Sequence, residues 1–98
     1  MKHVIYGLSA VITTDDVADA LIHYAAIVAQ AQASDVVAVP TVDLAGYPEV
    51  TSIVLGPGVP VLVSGAPDDE LETPHPDFVN DLTNRTRDLI ADGPRRRP

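Results

Sequence analysis

The sequence has no cysteine and no tryptophan, a single phenylalanine, and only six basic residues against fourteen acidic ones. Without cysteine the chain has no disulfide framework, no thiolate nucleophile and no thiolate metal site. The scarcity of large aromatic side chains argues against a roomy, aromatic-lined ligand pocket. The protein therefore has to fold by packing small and branched aliphatic side chains.

Basic residues are too few to favour a nucleic-acid partner. The net charge is −8 and the isoelectric point is near 4.4, and a field of that sign repels phosphate backbones. Half of the basic residues are Arg95, Arg96 and Arg97, which follow the helix-breaking pair Gly93-Pro94. We therefore expect one domain over residues 1–94, a flexible basic tail over residues 95–98, and no nucleic-acid partner.

Long hydrophobic runs are also missing. No apolar run approaches the roughly 18 residues that a membrane span requires, and the first residues lack the pattern of a signal peptide. The three histidines, His3, His23 and His75, have no recognisable metal-ligand spacing. We therefore expect a cytoplasmic protein with no membrane contact, no bound metal and no cofactor.

The most informative segment present is residues 15–34, which we interpret as a helix with one narrow polar stripe. At about 100° per residue, Asp16, Asp19 and His23 fall on that stripe, and most of the remaining circumference is apolar. A helix that is apolar nearly all round has to be buried on several sides. Because 98 residues offer little material for this, we expect a partner subunit, in a homo-dimer or a larger assembly.

The rest of the chain predicts an α+β fold with the order β-α-β-β-β-α. The second, third and fourth strands are expected to form an antiparallel meander whose last two strands are joined by the turn Gly56-Pro57-Gly58-Val59. A polar connector then leads to a second helix. Together they predict a four-stranded, mostly antiparallel sheet packed against two helices. The predicted strands are 3–12, 36–42, 50–55 and 59–63, and the second helix runs from 76 to about 93.

The leading functional hypothesis is a non-enzymatic protein that acts by self-association or by binding another protein. Beside the polar stripe, the apolar flank Ala20, Tyr24, Ile27 and Ala31 is predicted to be an interface, because packing on a sheet would leave it exposed. Ile27→Glu is expected to disrupt such an interface. With both helices on one face of the sheet, the other face also has to meet water, a partner or a second copy. A free strand edge could likewise pair with its twin.

The alternative hypothesis is a small enzyme or ligand-binding subunit with its site at a subunit interface near His23. The candidate catalytic or binding residues are His23, Asp19, Tyr47 and Ser9. His23 follows Asp19 by four residues, a spacing that is typical both of an ordinary contact on one helix face and of a proton-transferring pair. The ordinary contact is the simpler interpretation of the pair, and proton transfer is the alternative.

Overall fold

The computed structural model describes residues 1–7, 9–66 and 72–92. The sheet has the strand order β4-β3-β2-β1-β5, and every neighbouring pair is antiparallel. The α+β class, the antiparallel sheet and the two helices confirm the sequence prediction. The predicted basic tail, residues 95–98, lies outside the described residues, and the single domain over 1–94 stays a prediction. In chain order the elements are β1 (Lys2–Tyr6), β2 (Ser9–Thr13), α1 (Asp15–Gln30), β3 (Asp35–Val42), β4 (Pro48–Leu55), β5 (Val61–Gly65) and α2 (Pro76–Asp92).

The first predicted strand is in fact two strands joined by a tight turn. Tyr6 pairs with Ser9, so the loop between β1 and β2 has two residues. Gly7 begins that loop with φ +60°, the conformation that two-residue hairpin turns require and that glycine adopts without strain. The prediction of four strands was therefore wrong, and the sheet has five.

The last strand does not return beside β4 as predicted. The turn itself is present, because the N–H of Val59 donates to the carbonyl of Gly56 at 3.2 Å and Gly58 has φ +77°. However, β5 pairs with β1 at the opposite edge of the sheet, where Val63 lies opposite Val4. The predicted meander of the last three strands was therefore wrong in its final step.

The connection from β4 to β5 is short because the sheet curls. The Tyr6 hydroxyl on β1 donates to the Val54 carbonyl on β4 at 2.7 Å, although two strands separate β1 from β4 in the sheet. The end of β4 therefore lies close to the place where β5 begins. A five-residue connection, residues 56–60, is enough to cross between them.

Helix α1 lies inside this curl. It contacts β1 and β5 on one side, β3 and β4 on the other, and α2 as well. Its residues Val17, Ala18, Leu21 and Val28 are fully buried, and Tyr24 is 3% exposed. The chain itself thus supplies much of the cover that the sequence led us to expect from a partner subunit. The other core residues are Val4, Val37, Val39, Ile53, Leu55 and Leu82.

Helix α1 ends four residues earlier than the sequence indicated. Gln32 has φ +52°, and the N–H of Ala33 reaches back to the carbonyl of Val28 at 3.1 Å. Glycine normally provides this helix-ending arrangement, and with Gln32 at the position no residue pattern indicated it. In the described part of the chain, no helix is long and apolar enough to cross a membrane.

The sheet has a narrow seam between β2 and β3. One residue pair, Ile12 with Val42, joins these strands, whereas β3 and β4 are paired along their whole length. The β3–β4 hairpin, residues 35–55, therefore extends past the end of β2. At the seam the Thr13 hydroxyl donates to the Pro40 carbonyl at 2.6 Å.

Candidate functional site

The four predicted catalytic or binding residues lie in three separate regions. His23 and Asp19 line a groove of about 360 Å³ between α1 and α2, where His23 Nδ1 lies 2.8 Å from the carbonyl oxygen of Asp19. Tyr47 lies in the β3–β4 turn and is 69% exposed, and Ser9 begins β2. Only His23 and Asp19 are brought together, and they meet through the backbone of Asp19 and not through its carboxylate. The catalytic roles of all four stay predictions.

A larger cleft, of about 620 Å³, lies between the tip of the β3–β4 hairpin and the start of α1. Its polar lining includes Thr41, Glu49 and Glu72. The Glu72 carboxylate accepts the backbone N–H of Asp15 at 2.9 Å and contacts the Met1 ammonium at 2.8 Å. Hydrogen bonds to Glu72 and Asp15 raise the pKa of that ammonium to about 10. These contacts hold the segment before α2 against the start of α1, which is a structural role.

Asp16 secures the same end of α1. Its carboxylate accepts the backbone N–H of Val17 at 2.9 Å, the Thr14 hydroxyl and the backbone N–H of His75 at 2.7 Å. Desolvation alone would raise the pKa of Asp16, but these hydrogen bonds outweigh it and hold the pKa below its usual value. Within residues 1–7, 9–66 and 72–92, no group of three or more His, Cys, Asp or Glu is placed to hold a metal ion.

A second polar cluster joins both helices to the sheet. The Asp35 carboxylate at the start of β3 accepts a hydrogen bond from the Tyr24 hydroxyl and another from Arg85 of α2 at 2.9 Å. Desolvation and the bond to Asp35 raise the pKa of Tyr24 to about 12. At Asp35 the bonds from Tyr24 and Arg85 outweigh desolvation and lower the pKa. The cluster is a structural anchor, and sequence reasoning missed it because its members are far apart in the chain.

The predicted interface flank on α1 is only partly available as surface. Tyr24 is buried within the chain, and Ala20 packs against the core. Ile27 and Ala31 keep partial exposure. An interface through this flank stays a prediction, and Ile27 and Ala31 are the residues that would contribute most to it.

The outer face of the sheet, which points away from α1, is the most unusual surface of the protein. Strand register places Val36 beside Val54, Val42 beside Ile12, and Ile5 beside Leu62 on this face. None of its described positions is Asp, Glu, Lys or Arg, although one residue in five of the chain is charged. By strand, the positions are His3 and Ile5; Ala10 and Ile12; Val36, Ala38, Pro40 and Val42; Pro48, Val50, Ser52 and Val54; and Leu62 and Ser64.

Several of these apolar side chains are open to solvent. Val50 is 68% exposed, Val36 is 59% exposed and Leu62 is 57% exposed. An antiparallel sheet with one face in water normally alternates apolar residues inside with polar residues outside. A contiguous apolar surface of this kind indicates an interaction site. Part of this signal was in the sequence, because the even-numbered residues of β3 are all apolar and its other face also has the apolar residues Val37 and Val39.

Comparison of the chain with protein-family models, curated proteins and solved structures finds no match. Function therefore has to be inferred from the geometry of the molecule itself, and the surface that stands out most is the uncharged outer face of the sheet.

Proposed function

We propose that this protein acts as a self-associating, non-enzymatic module whose association surface is the outer face of the sheet. The observation that carries the proposal is the absence of any Asp, Glu, Lys or Arg side chain from the described positions of that face, in a chain of net charge −8. Leaving the face in water would be unfavourable, at roughly 25 cal/mol for each Å² of apolar surface. A second copy packed sheet on sheet would cover the part of it that faces one way, because the curl turns the β1–β5 half and the β3–β4 half in different directions.

The chemistry of the face favours a second copy over a foreign protein. A partner recognised by the acidity of this chain would have to meet acidic side chains at the contact, and none occupies the described positions of the outer face. Homodimer interfaces are more apolar than contacts between unlike proteins. A two-fold contact through this face also places no pair of like charges against each other.

The test compares lysine substitutions on and off the face. Val36→Lys and Leu62→Lys each place a charge on the outer face, at positions that are more than half exposed in the single chain. Both are expected to weaken association by more than about tenfold, because a buried unpaired charge is strongly unfavourable. Leu44→Lys is the matched control, since Leu44 is fully exposed at the hairpin tip and is expected to have no effect.

Sedimentation velocity over a concentration series measures the association of the wild type and of each variant, and thermal melting checks that the variants fold. Each lysine moves the net charge toward zero and so reduces repulsion between copies; a loss of association would therefore come from the face itself. A wild-type protein that sediments as a single 10.3 kDa chain at all concentrations would refute the proposal. Equal behaviour of Leu62→Lys and Leu44→Lys would refute this choice of surface. Ile27→Glu, measured in parallel, tests the α1 flank as the competing interface.

A further inference from the structure

A second contact is indicated at the free edge of β4. Among the described residues β4 pairs only with β3, and its outer edge faces away from the sheet. The strand has eight residues, no proline after Pro48, and a single charged side chain, Glu49. Natural proteins normally block such an edge with charges, proline or a bulge, because an open edge pairs with other strands.

The alternation of the β3–β4 ladder identifies which backbone groups face outward. The N–H of Asp43 donates to the Tyr47 carbonyl at 3.0 Å, which makes the odd-numbered pairs of this hairpin the hydrogen-bonded ones. Pro40 and Pro48, which have no N–H, accordingly fall in the other set. The N–H and C=O groups of the even-numbered residues Val50 and Ser52 therefore point outward from β4.

The part of the β4 edge that can pair with another strand is short and well defined. The Val54 carbonyl is already occupied by the Tyr6 hydroxyl at 2.7 Å, and Pro48 has no N–H to donate. Only Val50 and Ser52 keep both an outward donor and an outward acceptor. Both are exposed residues, so an incoming strand can reach them.

The edge of β3 that extends past β2 is closed by comparison. The N–H of Val36 donates to the Asp35 carboxylate at 2.8 Å, and Arg85 donates to the Val36 carbonyl at 3.3 Å. The Pro40 carbonyl accepts the Thr13 hydroxyl at 2.6 Å, and Pro40 has no N–H. On this edge Val36 and Pro40 are occupied and Ala38 keeps an outward donor and acceptor, whereas on the β4 edge Val50 and Ser52 both keep them.

We infer that two copies of this chain pair β4 with β4 in antiparallel orientation, with the two-fold axis at Thr51. In this register Val50 of one copy exchanges both backbone hydrogen bonds with Ser52 of the other, and the same exchange occurs a second time by symmetry. No like charges meet, because Glu49 lies opposite Ile53. The pairing also extends the outer face from one copy to the next, by placing Val50 beside Ser52.

This inference shares with the proposed function the premise that copies associate, but it uses a different contact. Edge pairing joins two sheets side by side, and packing through the outer face stacks one sheet on another. The two-fold axis of edge pairing is perpendicular to the sheet and that of stacking is parallel to it, and two such axes that intersect generate a closed assembly of four chains. We therefore expect a species of four times the 10.3 kDa of the chain.

Single-cysteine variants measure the register directly, because the chain has no cysteine of its own. In the proposed pairing the two Thr51 residues form a non-hydrogen-bonded pair with Cα atoms about 4.5 Å apart, a separation that a disulfide spans. Thr51→Cys is therefore expected to give a cross-linked dimer under mild oxidation. Val50→Cys and Ser52→Cys are the controls, since each would lie diagonal to its twin at about 7 to 8 Å and is expected to cross-link poorly.

Ser52→Pro tests the same contact without cysteine. It removes an outward N–H and leaves the β3–β4 ladder intact, so it is expected to lower the four-chain species to a dimer. Ser52→Val keeps the N–H and should leave the assembly unchanged, and circular dichroism confirms folding of both variants.

The outcomes separate the two proposals. Preferential cross-linking of Val50→Cys or Ser52→Cys would overturn the register, and no cross-linking at any of the three positions would overturn the edge pairing. If Ser52→Pro has no effect while Leu62→Lys reduces association, edge pairing fails and the proposed function stands. If Ser52→Pro reduces association while Leu62→Lys does not, the outer-face contact fails and the edge pairing stands.

Discussion

At the residue scale, the side chain that connects the most elements is Asp35. It begins β3, accepts hydrogen bonds from Tyr24 in α1 and Arg85 in α2, and also accepts the N–H of Val36 at 2.8 Å. A carboxylate that satisfies donors from three elements fixes how those elements pack together. Its effect on stability should therefore depend on its charge.

Asp35→Asn is expected to lower the free energy of unfolding at pH 7 by about 1 to 2 kcal/mol. The effect would be larger for a fully buried carboxylate, but the Asp35 side chain is partly exposed to solvent. The pKa of Asp35 is lower in the folded protein than its unfolded value of about 3.9. The contribution is therefore complete at neutral pH and is lost as the pH falls below about 4. Urea unfolding should show a smaller difference in the free energy of unfolding between wild type and variant at pH 3 than at pH 7.

Asp88→Asn is the matched control for this prediction, because Asp88 is exposed on α2 and should give no difference at either pH. A deficit of Asp35→Asn that is as large at pH 3 as at pH 7 would contradict the argument. It would mean that the side chain acts through packing and not through its charge.

At the element scale, the sequence predicted both helices and the two strands of the long hairpin, but not where the first segment turns. The alternation of residues 3–12 predicted a strand without showing the break at Gly7, because β1 and β2 each have apolar side chains on both faces. Val4 is buried on the inner face, while Ile5 and Ile12 lie on the outer face. Across a two-residue hairpin the inward-pointing residues change from even-numbered in β1 to odd-numbered in β2. Only a clear difference in polarity between the two faces of the sheet would have revealed that change in the sequence.

Gly7→Ala tests the turn that joins β1 and β2. Gly7 has φ +60°, and the place where a Cβ would lie is open. The loss in the free energy of unfolding therefore comes from the backbone conformation alone and should be about 1 kcal/mol. Gly65→Ala is the control, because Gly65 has open space and no positive φ and should change stability by less than about 0.5 kcal/mol. Chemical denaturation of both variants measures the difference. Equal stabilities would contradict the assignment of the turn.

The candidate site was predictable only in outline. The sequence indicated that one sheet surface and one strand edge would be available for contact with another chain. Which surface and which edge they are depends on the order of the strands in the sheet. That order depends on the pairing of β5 with β1, a contact between residues about sixty positions apart in the chain. Neither turn chemistry nor periodicity determines such a long-range pairing.

At the scale of the whole molecule, the helix that prompted the expectation of a partner subunit is largely covered by its own chain, whereas the sheet is not. Leu21 and Val28 of α1 are fully buried in a single copy, while Val50 and Leu62 of the sheet remain exposed. The apolar surface that motivates self-association is therefore on the opposite side of the sheet from α1.

Salt dependence distinguishes an uncharged contact from a charged one. Each copy has a net charge of −8, so copies repel at a distance although none of the residues that the structure places on the proposed contact surface is Asp, Glu, Lys or Arg. Raising the ionic strength from about 0.01 M to about 0.1 M shortens the screening length from about 30 Å to about 10 Å and should tighten association severalfold. Sedimentation equilibrium at both ionic strengths measures this. Weaker association at the higher value would indicate ion pairs in the interface.

The narrow seam between β2 and β3 ties the geometry of assembly to the helices. Since Ile12 and Val42 are the one residue pair bridging these strands, the sheet ladder alone cannot fix the angle at which the β3–β4 hairpin projects. Besides the hydroxyl bonds from Thr13 and Tyr6, that angle is held by α1 beneath the hairpin and by Arg85 of α2 at its base. A substitution that loosens either helix would swing the hairpin and misalign the surfaces of neighbouring copies without altering a single residue on them.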